Sequence, residues 1–77
     1  MTDKPPEKPD EVKKLTAIAT DMQLDVKLRT QAIDLLRNQG SRDAFLALLS
    51  LAANENLNIA ERELALKRAR DIIKSEH

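Results

Sequence analysis

The stretch DVKLRTQAIDLLRNQG, residues 25–40, decides the fold. Val26, Leu28, Ala32, Ile33 and Leu36 fall on one arc at the helical period. Asp25 stands where an N-cap is wanted, and Gly40, the sole glycine, stands where a left-handed residue ends a helix. One amphipathic helix, bounded at both ends, follows from these sixteen residues.

Working outward, Ser41 caps a third helix carrying Ala44, Phe45, Leu48, Leu49, Leu51 and Ala52, which frays at Asn54, Glu55 and Asn56. Asn58 caps a fourth, with Ile59, Ala65, Leu66, Ala69, Ile72 and Ile73. Upstream, Val12, Leu15, Ile18, Ala19 and Met22 form the stripe of a first helix expected over residues 10–22, with Met22 read as core. Pro9, Asp10 and Glu11 suit its first turn, where the dipole favours acids and a missing N–H costs nothing. The expected fold is all-α, four helices arranged as two tandem antiparallel helical hairpins.

Residues 1–8 hold two of the three prolines beside alternating charge and read as a disordered N-terminal tail, leaving residues 9–77 as a single helical domain. A chain of 77 residues has room for one core. Phe45 is its only aromatic, so that core is aliphatic and suits a bundle rather than a sheet. Thirteen basic and thirteen acidic side chains balance, so no long-range field steers the molecule toward nucleic acid or an anionic membrane. The lack of cysteine removes disulfides, thiolate metal sites and thiol nucleophiles. No apolar run approaches the roughly 20 residues needed to cross a bilayer, and the expected location is cytoplasmic.

Sliding the chain along itself by about 33 residues brings like onto like. Asp10, Leu15, Ala19, Leu24, Arg29, Ala32 and Arg37 fall on Asp43, Leu48, Ala52, Leu57, Arg62, Ala65 and Arg70. Val12 with Phe45, Ile18 with Leu51, Asp25 with Asn58, Val26 with Ile59 and Ile33 with Leu66 are conservative pairs in the same register. The match reads as two repeats, at about 10–42 and about 43–75, with helical periodicity shared by amphipathic helices as the alternative source of the agreement. Arg29 projects into the middle of one apolar arc and Arg62 into the middle of the other, and a charge so placed needs a reason.

These residues resemble the HEAT-like helical repeats, in which the second helix reads acidic residue, apolar residue, Arg, then Ala and Leu. Asp25, Leu28, Arg29, Ala32, Leu36 and Gly40 match that pattern well; Asn58, Glu61, Arg62, Ala65 and Ala69 match it in part, with Asn58 departing from it. The resemblance spans roughly residues 10–75. It implies a ladder between neighbouring repeats, in which Asp25 reaches Arg62 as well as, or instead of, Arg29. The ankyrin and tetratricopeptide signatures of similar period are absent.

Two candidate surfaces and one structural ion pair follow. Phe45, Leu46, Leu48, Leu49 and Leu51 ring almost the whole third helix, more apolar surface than an end-capped unit needs, so Phe45, Leu46 and Leu49 are the expected protein interface, for a partner protein or a second copy. Arg37, Lys67, Arg70 and Lys74 form a possible anion-binding strip on the second and fourth helices, although Glu63 precedes Lys67 by one turn and no aromatic platform exists for stacking bases. Asp25, Arg29 and Arg62 form the expected structural ion pair. A helix-turn-helix over residues 26–53 fits poorly, because its recognition helix would be the apolar third one.

Catalysis finds few candidates. His77 is the terminal residue and the sole histidine, so Ser41, Ser50 and Ser75 have nothing to activate them. Asp21 and Asp25 straddle a helix junction, where capping explains them better than a metal site or paired-carboxylate chemistry. No cofactor or small-molecule substrate is implied. The expectation is a non-enzymatic protein-interaction module, with nucleic-acid or acidic-ligand binding as the alternative.

Overall fold

Each helix begins and ends where a local signal tells it to. The computed structural model describes residues 8–75, and among them lie four helices: α1 (Lys8–Ala19), α2 (Val26–Gln39), α3 (Arg42–Ala52) and α4 (Ile59–Ser75). Residues 1–7 of the expected tail lie outside the described residues, whereas Lys8, assigned to that tail from sequence, belongs to α1. Gly40 closes α2 at φ +61°, and its N–H donates to the Arg37 carbonyl at 3.1 Å. Ser41 opens α3, its Oγ accepting the Ala44 N–H at 3.1 Å. Only Gly40 and Ser41 separate α2 from α3.

The first helix is shorter than the 10–22 expected from periodicity. It stops at Ala19 because Asp21 turns the chain: its Oδ1 accepts the Gln23 N–H at 2.9 Å and its carbonyl accepts the Leu24 N–H at 3.0 Å. Met22 therefore sits on a turn and is 45% exposed, not core. Thr16 and Thr20 bond back to the carbonyls of Val12 and Thr16 within the last turns of α1.

The same corner recurs between α3 and α4. Asn54 Oδ1 accepts the Asn56 N–H at 2.9 Å, and the Asn54 carbonyl accepts the Leu57 N–H at 3.1 Å. Asp21 N–H to the Ile18 carbonyl is matched by Asn54 N–H to the Leu51 carbonyl, and Arg29 N–H to the Asp25 carbonyl by Arg62 N–H to the Asn58 carbonyl. All these bonds are related by the offset of about 33 residues already found in the sequence.

Each corner folds its hairpin, α1 on α2 and α3 on α4. The hairpins then stack. Helix α1 lies beside α3 in one layer and α2 beside α4 in the other, with α2 also touching α3, while α1 and α4 do not meet. The core between the layers consists of Val12, Leu15, Ala19, Ala32, Ile33, Leu36, Ala44, Leu48, Leu51, Leu57, Ala65, Ala69 and Ile72. Its alanines, Ala19, Ala32, Ala44, Ala65 and Ala69, allow the helices to approach closely. Among the described residues no helix is long and apolar enough to cross a membrane.

Candidate functional site

One charged cluster crosses the junction between the hairpins. Arg29 on α2 donates through Nε to Glu61 Oε2 at 3.1 Å, with its Nη2 at 2.9 Å from the same oxygen, while Nη1 donates to the Leu24 carbonyl at 2.6 Å. Glu61, on the first turn of α4, is only 2% exposed. Its other oxygen, Oε1, accepts the Asn58 N–H at 3.3 Å, and Asn58 Oδ1 returns the bond by accepting the Glu61 N–H at 2.8 Å. That reciprocal pair caps α4, so Glu61 serves two tasks at once. A guanidinium with both a carboxylate and a carbonyl satisfies the condition under which a charge tolerates burial.

This arrangement corrects the expected ion pair of Asp25, Arg29 and Arg62. The carboxylate that holds Arg29 is Glu61. Asp25 precedes α2 in an extended conformation but makes no side-chain cap bond, and it is exposed; among the described residues neither it nor Arg62 enters an ion pair. The physical reason is reach: α4 stacks on α2 through its first turn, which brings the third residue of α4 over Arg29.

A second bond across the junction is solvent-exposed. Arg68 Nε donates to Asp34 Oδ1 at 2.8 Å and its Nη1 to Asp71 Oδ2 at 3.0 Å. The hydrogen bond to Asp34, then that to Asp71, raises the Arg68 pKa above its ordinary value.

The two hairpins share the hydrogen bonds of their corners, so burial can be compared at positions matched by that offset. Ile33 is 0% exposed, whereas its counterpart Leu66 is 42% exposed. Ala19 and Arg29 are buried, whereas Ala52 and Arg62 are only partly so. Ala52, Ile59, Arg62, Glu63 and Leu66 line a shallow hollow on this outer flank of the second hairpin. At the opposite end Ile18, Leu28 and Leu35 are exposed, where their counterparts Leu51, Glu61 and Arg68 are buried or bonded to the first hairpin. The stack therefore has two open flanks, both largely apolar.

The expected interface trio does not line a single hollow. Leu46 is exposed and lines a groove between α1 and α3 with Val12, Lys13, Thr16, Ala17, Asp43, Ala47 and Ser50. Phe45 points elsewhere, partly buried against the core in a hollow with Ser41, Arg42, Ile72 and Ile73. Leu49 is exposed and lines neither. Leu49 follows Phe45 by four residues and Leu46 by three, so it lies between them on the surface of α3.

Of the basic strip, Lys67 and Arg70 share a hollow on α4 with Glu63 and Leu66; Arg37 and Lys74 do not line it. Its walls are thus mixed in charge. Among the described residues no group of His, Cys, Asp or Glu is placed to hold a metal ion.

Sequence reasoning missed Glu61 as the partner of Arg29 and the outer flanks as surfaces. Asn58 followed three residues later by Glu61 has the spacing of a capping box, which signals the cap that Glu61 makes but not its bond to Arg29. No family model matches the chain, and no curated protein or solved structure matches it.

Proposed function

We propose that this chain is a non-enzymatic protein-interaction module, a short stack of two HEAT-like helical hairpins that works through its open flanks. The observation that carries this reading is the contrast between Ile33, sealed by the neighbouring hairpin, and Leu66, the same position left open. A surface built to the pattern of an internal docking face, with an apolar centre and an arginine beside it, suits a protein partner better than a phosphate backbone. The acidic Glu63 within the same hollow weakens any attraction for anions.

The test is affinity capture with the wild-type protein, Leu66→Glu and Leu46→Glu in parallel. A partner held by the wild type and by Leu46→Glu but lost by Leu66→Glu is the expected outcome. Retention by Leu66→Glu with loss by Leu46→Glu would move the site to the α1–α3 groove, and retention by both variants would defeat the flank reading altogether.

A further inference from the structure

The junction inside the molecule is a template for a junction outside it. Across the inner junction, Arg29 meets Glu61 and Asp34 meets Arg68. Ile33 is sealed on one side of it, and Leu51 and Leu57 are sealed on the other. Moving both sets by the repeat offset yields the two outer flanks. The flank of α3 and α4 then carries Ala52, Arg62 and Leu66 where the inner junction has Ala19, Arg29 and Ile33. The flank of α1 and α2 carries Ile18, Leu24, Leu28 and Leu35 where the inner junction has Leu51, Leu57, Glu61 and Arg68.

We propose that these flanks bind one another between copies of this chain, the second hairpin of one molecule seating head to tail on the first hairpin of the next. The proposal rests on the interaction-module reading and names its partner. Leu66 takes the place of Ile33, and the surface it meets is more apolar than the inner one, because Leu28 and Leu35 replace Glu61 and Arg68. Arg62 no longer faces a glutamate. Its carboxylate comes from Asp25 of the second copy, which lies three residues before Leu28, is exposed, and makes neither a cap bond nor an ion pair among the described residues. Pairing the α3–α4 flank with its own copy would instead set Arg62 and Lys67 against themselves.

Because the two flanks differ, each molecule keeps one free after pairing, and the contact is not used up at the dimer. The experiment is sedimentation velocity on the full chain from micromolar to millimolar concentration. The average mass is expected to climb past that of the dimer. Leu66→Glu and Leu28→Glu each replace an exposed leucine at one flank, so both should keep the wild-type circular dichroism and weaken association on the order of tenfold or more. Mixed in equal amounts they should form dimers and stop, since the good flank of one meets the good flank of the other. Should Leu28→Glu unfold, Leu35→Glu takes its place in the mixture.

A wild type that stays monomeric at millimolar concentration overturns the proposal, as does a plateau at the dimer or a mixture that behaves like its separate components. Monomeric wild type with a different protein still lost by Leu66→Glu removes self-stacking alone. If neither Leu66→Glu nor Leu46→Glu loses a protein, the interaction-module reading falls with it.

Discussion

Glu61 is the residue on which most depends. Its two oxygens hold the start of α4 and the guanidinium of Arg29, and the second bond spans the two hairpins. Removing one member of a buried pair leaves the other charge without a partner, a loss of about 3–5 kcal/mol. Glu61→Ala should therefore shift the urea midpoint by most of the stability a domain of this size has, and Arg29→Ala should act similarly. Arg62→Leu is expected to change stability by no more than about 0.5 kcal/mol in the same titration, because Arg62 holds no carboxylate. A large loss on Arg62→Leu would restore the ladder that the sequence suggested. Arg68→Ala should also be mild, under about 1 kcal/mol, since Asp34 is half exposed and water screens the pair. The arginine at position 29 was legible as needing a partner. Which partner was not, because that choice depends on how deeply α4 slides over α2.

At the scale of the element, the sequence was most informative where one residue carries the signal. Ser41, Gly40 and Asn58 mark helix ends through bonds made within four residues, and all three stand where expected. The apolar stripe continues to Met22, past a helix that has already stopped, because the turn at Asp21 is made by a side-chain bond that no hydrophobic pattern records. The matching corner at Asn54 suggests a paired measurement. Asp21→Ala and Asn54→Ala each remove one exposed bond to a backbone N–H and should lower the melting temperature by similar small amounts. Ser41→Ala is expected to cost about 1 kcal/mol, read from chemical denaturation. The outer layer was harder to foresee. The apolar excess of the third helix is real, and its residues border different hollows, Leu46 the groove against α1 and Phe45 the hollow beside Ile72.

For the whole molecule, the decisive property is that neither hairpin owns the core. Ile33 and Leu36 from one hairpin and Leu48, Leu51 and Ala65 from the other belong to a single buried cluster. A peptide of residues 8–40 should accordingly lose most of its helical circular dichroism when cut from the rest, because its half of the core would face water and short isolated helices are marginal. Substantial helix in that peptide would contradict the shared core. The all-helical fold and its division into two hairpins were legible from caps and periods. The flanks were not, because what is left uncovered becomes visible only once the stacking direction is known.

The connection of Gly40 and Ser41 has one more consequence. These two residues supply the stop of α2 and the start of α3, and Gly40 holds a backbone angle that other residues adopt at a penalty of about 1 kcal/mol or more. Take both signals away, as in Gly40→Ala with Ser41→Ala, and α2 and α3 can run on as one continuous helix. The hairpins would then be thrown to opposite ends of a rod, each with half a core exposed, and the nearest complementary half would belong to another molecule. The expected product is a domain-swapped dimer, seen as a doubled mass by size exclusion, so a single left-handed turn decides whether this chain closes on itself or trades halves with its neighbour.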